Sequence, residues 1–319
     1  MNVSDVDRRI RSLRPPKLQV DPDTAHGCLL EKERRPDGRI EQTLTVFLTG
    51  AECPFTCSFC DLWRFTIDGA TPHGALPRQL QTVLAGLSKS PMDRLKLYNA
   101  SNFFDQRAVP VDDLPAIATL AAPFAAVTVE SHASTIGPRT VSFSKLIPGR
   151  LEVAVGLETI HPAAASQLNK KLDLARFDSA AACLADNDID LRVFVLLGAP
   201  YVPFDESIAW TVRTVEYAVE HGASVVSIIP VRGGNGEMER LQHLGHFTPP
   251  TLSQVETALE ECLPYTEAVI TADLWDAERL TSCQLCRVER IARMRRVNLS
   301  GQTAAAVICP FCDGHDGIM

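Results

Sequence analysis

No run in this sequence is both long and apolar enough to span a bilayer. The most apolar stretch, Ala116 to Val129, has fourteen residues and carries Pro123 and two threonines, well short of the roughly 20 that a membrane helix needs. The opening MNVSDVDRRIRSLRPPK is charged where a secretory leader would be hydrophobic. A cytoplasmic protein with no membrane partner is the expectation. Positive charge is in deficit, 31 Lys and Arg against 39 Asp and Glu for a net charge of −8, which argues against broad attraction to phosphate. Aromatics make up only 6% and do not interleave with the arginines, so no base-stacking platform for single strands is evident.

What is present is an ordinary globular composition, 45% hydrophobic and 22% charged over 319 residues, enough to bury about three quarters of the extended surface. Ten cysteines stand out. A reducing compartment keeps thiols free, so metal or redox chemistry is the expected use. Cys28, Cys183 and Cys262 stand alone and are expected as buried hydrophobes.

Cys53, Cys57 and Cys60 form a C-x3-C-x2-C loop directly after the strand-like run TLTVFLTG. Three such thiolates can hold three corners of a cubane iron–sulfur cluster and leave one iron open, because a 4Fe-4S cluster takes four ligands. A structural zinc knuckle is the alternative, though zinc would want a fourth ligand and well-separated pairs. Cys283, Cys286, Cys309 and Cys312 form two C-x2-C pairs twenty-two residues apart. Four thiolates so arranged suit a structural zinc site; an auxiliary iron–sulfur cluster is the other possibility.

From Thr43 to Pro230 apolar β-branched runs alternate with helix-like stretches, the pattern of parallel βαβ units. Strands are expected at 43–49, 94–98, 126–130, 151–156, 191–197 and 224–229. Helices are expected at 76–87, 112–121, 139–147, 162–171, 178–186, 205–220 and 251–262, with Asp205 as an N-cap and Pro162 in a first turn. Right-handed crossovers would curl six units into an α/β fold, a partial (β/α)6 TIM-like barrel, followed by the small four-cysteine module. The expected division is an N-terminal extension over 1–40, the barrel over 41–240 and the module region over 241–319. Barrel chemistry gathers where strands end, and the exits carry Glu130, His132, Glu158 and His161. Glu130, His132 and Glu158 are candidate catalytic groups; each could instead cap a helix or fill a structural hydrogen bond. Gly233, Gly234 and Gly236 lack dinucleotide-fingerprint spacing and read as a flexible loop.

The C-x3-C-x2-C loop, with Phe59 before its last cysteine, resembles the signature of the radical S-adenosylmethionine (radical SAM) superfamily. GLETIHPAAASQLNKKLD and LLGAPYVPFDES resemble the subgroup of the elongator catalytic subunit and the methylthiotransferases. LYNASNFFDQRAVP resembles a segment of the radical SAM subunit of archaeosine synthase. The resemblance implies a 4Fe-4S cluster whose open iron binds S-adenosylmethionine. It further implies reductive cleavage to a 5′-deoxyadenosyl radical that takes hydrogen from a substrate, and an external electron donor of flavodoxin or ferredoxin type. It places Phe59, Asn99, Ala100, Ser101, Glu158, Gly198 and Val231 around the cosubstrate, with the glycine loop near its adenosine. A modified base in transfer RNA is the substrate that the archaeosine-like segment implies. Arg287, Arg290, Arg293, Arg295 and Arg296, together with Arg8, Arg9, Arg11, Arg14 and Lys17, could hold RNA backbone. A small metabolite and a non-catalytic metal-stapled interaction protein are the alternatives.

Overall fold

The computed structural model describes residues 4–87 and 92–312. Its frame is one eight-stranded sheet whose strands follow chain order: β1 Gly27–Arg34, β2 Ile40–Phe47, β3 Arg94–Tyr98, β4 Ala126–Glu130, β5 Arg150–Glu158, β6 Asp190–Leu197, β7 Ala223–Pro230 and β8 Val269–Ala272. β2 to β8 are parallel, and β1 returns antiparallel beside β2. The sheet curls into a partial barrel. Its helices are α1 Asp5–Leu13, α2 Ala75–Ala85, α3 Leu114–Ala121, α4 Pro138–Ser144, α5 Pro162–Gln167, α6 Leu174–Ala185, α7 Ser207–Glu220, α8 Glu237–His243, α9 Leu252–Cys262 and α10 Arg287–Ser300.

The six strands read from β-branched runs are β2 to β7. The sheet gains β1 from the segment expected as an N-terminal extension and β8 from the module region. Two helix expectations change. Asp205 lies inside the 3-10 turn Phe204–Glu206, and the cap position of α7 is Glu206, which makes no side-chain cap. The stretch 162–171 breaks after α5, because Asn169 and Lys171 adopt left-handed conformations, φ 55° and 61°. Pro162 does open α5. Of the lone cysteines, Cys262 is buried as expected, whereas Cys28 is exposed on the edge strand and Cys183 is half-buried.

Alternate residues of the strands face the helices and form the apolar core, which includes Leu44, Val46, Leu95, Leu97, Val127, Val129, Val153, Val193 and Ile228. The other face lines the barrel, and at its lower end it is charged. Glu152 is fully buried and pairs with Arg192 at 2.8 Å and Arg35 at 2.9 Å. Arg94 meets Glu41 at 2.7 Å, Arg192 meets Glu33 at 2.9 Å, and Lys96 reaches Glu33 and Glu31. Burial would raise the Glu152 carboxyl, but the three arginines hold it well below its ordinary value. Buried charges survive only when paired and hydrogen-bonded. Four acids against four bases therefore floor the barrel without leaving a net charge.

Candidate active site and metal centre

The loop after β2 carries Cys53, Cys57 and Cys60 across the upper rim, and three distant segments fasten it there. The Ser58 N–H donates to the Leu168 carbonyl at 2.9 Å. The Asn169 amide donates to Thr56 O at 2.9 Å and Oγ1 at 2.8 Å. Asn235 Nδ2 donates to the carbonyls of Ser58 at 2.8 Å and Cys60 at 3.2 Å, while its Oδ1 accepts from Met238 N. Asp7 completes the grip. Its Oδ2 closes a capping box with Ser4 on α1, and its Oδ1 accepts from Asn169 Nδ2 at 2.8 Å and from the Thr56 hydroxyl. Burial would raise that carboxyl, but these hydrogen bonds hold it well below the usual range. The glycine loop is not free. Glu239 accepts from the N–H groups of Gly234 and Gly236, and a Cβ at Gly236 would stand 1.9 Å from Leu13 O. Only glycine lets α1 approach there.

Beside the cysteines the strand exits supply a polar ring. Asn102 Nδ2 donates to Cys53 Sγ at 3.4 Å, and its Oδ1 accepts from His132 N at 2.8 Å. Glu130 Oε1 accepts from the backbone N–H groups of Asn99 at 2.9 Å and Ala100 at 3.0 Å, holding the left-handed turn at Ala100. Burial outweighs those bonds and pushes its carboxyl up to about 7. Asn99 is fully buried, yet among the described residues both polar atoms of its side chain lack a partner, as does the Ser101 hydroxyl. Lys170 Nζ donates to Glu158 Oε1 at 2.6 Å. Glu158 itself takes a φ of 70°, and a Cβ on Gly156 would fall 2.0 Å from its Oε1 and 2.6 Å from Nζ. Burial would lower the Lys170 ammonium, but the Glu158 carboxylate holds it above its ordinary value.

Burial also raises the three thiols, Cys57 to about 12, with the Lys170 charge working the other way on Cys53 and Cys57. Thiols raised in this way stay protonated until a metal displaces their protons.

His132 stacks on Phe55 with centroids 4.1 Å apart. Its Nδ1 accepts from Ser134 N, so Nε2 is the donor to the Lys170 carbonyl at 3.1 Å. Burial, helped by the Lys170 charge, brings its pKa down to about 4. With both ring nitrogens engaged, His132 ties the β4 exit to the Lys170 segment. His161 caps α5 by accepting from Ala164 N. Phe59 and Val231 meet in a small apolar cluster with Leu168 and Met238. Gly198, at φ 74°, donates its N–H to Ser207 Oγ at 2.9 Å.

The cysteine spacing located the loop, but Asp7, Asn102, Asn169, Lys170 and Asn235 escaped notice. Asn169 and Lys170 lie in the run LNKKLD, whose left-handed turn carries no glycine signal, and Asn235 sits between glycines that read as slack.

Across the module, Cys283 and Cys309 Sγ stand 3.8 Å apart and Cys286 and Cys312 Sγ 3.7 Å apart. All four sulfurs lie within 4.8 Å of one another, a group that the three N-terminal cysteines do not form. Backbone N–H groups of Cys286 and Leu285 pull the Cys283 thiol down to about 6. Much of the expected basic surface is already engaged. Arg290 binds Glu256 and Ser253, Arg293 binds Glu260 and the carbonyls of Ala304 and Ala305. Arg9, Arg14 and Lys17 pair with Glu237, Glu52 and Asp68. Arg295 and Arg296 remain exposed. No helix among the described residues is long and apolar enough to cross a membrane.

No family model matches the sequence, and no curated protein does. Among solved structures, SuiB of Streptococcus suis, solved with its precursor peptide SuiA, aligns with a TM-score of 0.51 at 15% identity, covering 72% of this chain and 49% of that one. Elp3 of the archaeon Methanocaldococcus infernus aligns at 0.47 and 13% identity over 61% and 51% of the two chains. Methylornithine synthase (PylB) aligns at 0.45 and 12% identity over 82% and 84%. The chain spans about half the length of SuiB and of the archaeal Elp3. At such identity the likeness to SuiB establishes the fold.

Proposed function

We propose that this chain, whose partial barrel is the fold of the radical SAM enzymes, is itself such an enzyme, with Cys53, Cys57 and Cys60 holding a 4Fe-4S cluster. One observation carries the reading: three half-buried cysteines share a rim with a fully buried Asn99 side chain that has no partner among the described residues. An unpaired buried amide costs about 1–3 kcal/mol, so its retention argues for a polar ligand beside the loop. That donor set fits a cubane with one open iron and an amino-acid cosubstrate. When bound, the cluster and S-adenosylmethionine supply one-electron cleavage of the sulfonium and hydrogen abstraction from a substrate.

The chain's own residues do the rest. Asn102 orients the Cys53 sulfur by donating to it. Asn99 and Ser101 offer the cosubstrate's amino-acid end their unpaired polar atoms, and Glu130 holds the turn that presents them. The Lys170 and Glu158 pair sets a fixed ion pair beside the cysteines, with Lys170 suited to a carboxylate and Glu158 to a donor. Phe59, Gly198 and Val231 give the apolar wall for the adenosine. The charged floor below keeps the barrel filled, so that a reactive group at the rim meets little water. Electrons would come from an external donor of flavodoxin or ferredoxin type.

For the substrate we favour a modified base in transfer RNA, supported by the archaeosine-like segment at Leu97–Pro110 and by exposed Arg295 and Arg296 on α10. A small metabolite is the second reading, favoured by the internal pairing of Arg9, Arg14, Arg290 and Arg293. The test of the site is electron paramagnetic resonance of the anaerobically reconstituted, reduced protein. Adding S-adenosylmethionine should change the cluster signal in the wild type. An unchanged signal, or a wild-type signal persisting in Cys57→Ala, would reject the assignment.

A further inference from the structure

The C-terminal cysteines allow an independent deduction, because the spacing of four sulfurs reports what they can hold. Thiolates about 2.3 Å from one zinc ion stand about 3.8 Å apart at the corners of a regular tetrahedron. The measured separations are 3.8 Å for Cys283 to Cys309 and 3.7 Å for Cys286 to Cys312, with every pair inside 4.8 Å. A 4Fe-4S cluster places each cysteine on a different iron, which spreads the sulfurs further apart than one shared ion does.

The surrounding structure needs a clasp here. β8 is an edge strand of only four residues, and α10 covers that edge. Asn298 stands in for a strand partner, its Oδ1 accepting from Ala272 N and its Nδ2 donating to Ala272 O, both at 2.9 Å. Past α10, Gly301 lies close against the Arg34 guanidinium at the end of β1, so the helix bridges the two edges of the sheet. The tail that follows has little apolar anchoring. Ile308 is 85% exposed and Phe311 66%, as are Leu285 and Val288 at 73% each, and Cys309 is the buried member of its pair. Arg293 reaches from α10 to the carbonyls of Ala304 and Ala305.

We propose that Cys283, Cys286, Cys309 and Cys312 bind a single tetrahedral zinc ion, and that this ion holds α10 and the tail across the open edge between β8 and β1. α10 is seated in the core by Ile291, Met294 and Val297, but in the tail 302–312 Cys309 is the one buried side chain among the described residues, too little to hold that tail by itself, and structural zinc contributes folding free energy outright.

The test is metal analysis of protein purified anaerobically from medium containing both iron and zinc. Wild type should hold one zinc per chain. Cys309→Ser/Cys312→Ser should lose that zinc and keep its iron, whereas Cys53→Ala/Cys57→Ala/Cys60→Ala should lose its iron and keep the zinc. Zinc-free wild type, a second cluster's worth of iron, or iron surviving in the triple variant would overturn the proposal. Zinc retained by the double variant would overturn it equally. Because the double variant tests folding as well, wild-type protein exchanged into cobalt(II) gives a second reading: tetrahedral all-thiolate cobalt bands should appear, and octahedral bands would reject the site. Hydrogen exchange on zinc removal should quicken over residues 269–312 and leave β2 to β6 unchanged; no quickening would reject the clasp. None of these readouts depends on catalysis by the N-terminal site, so its failure would leave this one standing.

Discussion

At the residue scale the site combines buried polar groups held by partners with the unpaired side chains of Asn99 and Ser101. Lys170 and Glu158 are the clearest pair, since each would be an isolated charge without the other. Lys170→Met should cost about 3–5 kcal/mol, the penalty for stranding a buried charge, in urea unfolding of the metal-free protein. Lys170→Met/Glu158→Gln should recover most of that loss; additive losses would show that the pair is not coupled. His132 gives a pH signature. Its folded pKa of about 4 lies below the ordinary 6.5, so the folded state resists the proton that the unfolded chain accepts. Stability is therefore full above pH 6.5 and falls as pH drops toward 4, by up to about 3 kcal/mol. Replacing His132 with Asn should flatten that part of the profile, and the wild-type ring should titrate near 4 by nuclear magnetic resonance. Titration near 6.5 would mean the ring is not buried as described. The cysteines were legible from spacing alone, because ligands to one centre cluster in sequence. Asp7 and Asn235 were not, since their partners Asn169 and Ser58 lie 162 and 177 residues away.

At the element scale, strands buried on both faces announce themselves and edge strands do not. β2 to β7 read as apolar β-branched runs because core and barrel face both exclude water. β1, GCLLEKER, shows no apolar run, because Glu31 and Glu33 point into the charged barrel floor toward Lys96 and Arg192. β8 is too short for any period to show. α1 reads in sequence as a basic segment, yet through Asp7 it straps the cysteine loop to the Asn169 segment. Asp7→Ala should speed hydrogen exchange across residues 53–60 and lower the iron retained after reconstitution. Asp5→Ala, which removes only an exposed pair with Arg8, should do neither. Equal behaviour of the two variants would show that α1 does not brace the loop.

For the whole molecule, one scaffold presents two cysteine groups with different surroundings. The rim of the barrel leaves buried polar atoms unpaired beside three cysteines, while the far edge gathers four sulfurs to tetrahedral spacing. The substrate reading also belongs to this scale, because it depends on charge spread over a surface. Binding of transfer RNA in a filter assay should weaken steeply with added salt and drop further in Arg295→Glu/Arg296→Glu. No binding, or binding indifferent to salt, would leave the small-molecule reading. The central claim is reductive cleavage at Cys53, Cys57 and Cys60, and the direct measurement of it is 5′-deoxyadenosine formed from S-adenosylmethionine and dithionite by the reconstituted protein under anaerobic conditions. The nucleoside should accumulate with the wild type and be absent with Cys57→Ala. Equal amounts from both proteins, or none from a wild type carrying its full cluster and supplied with transfer RNA or cell metabolite extract, would contradict the account.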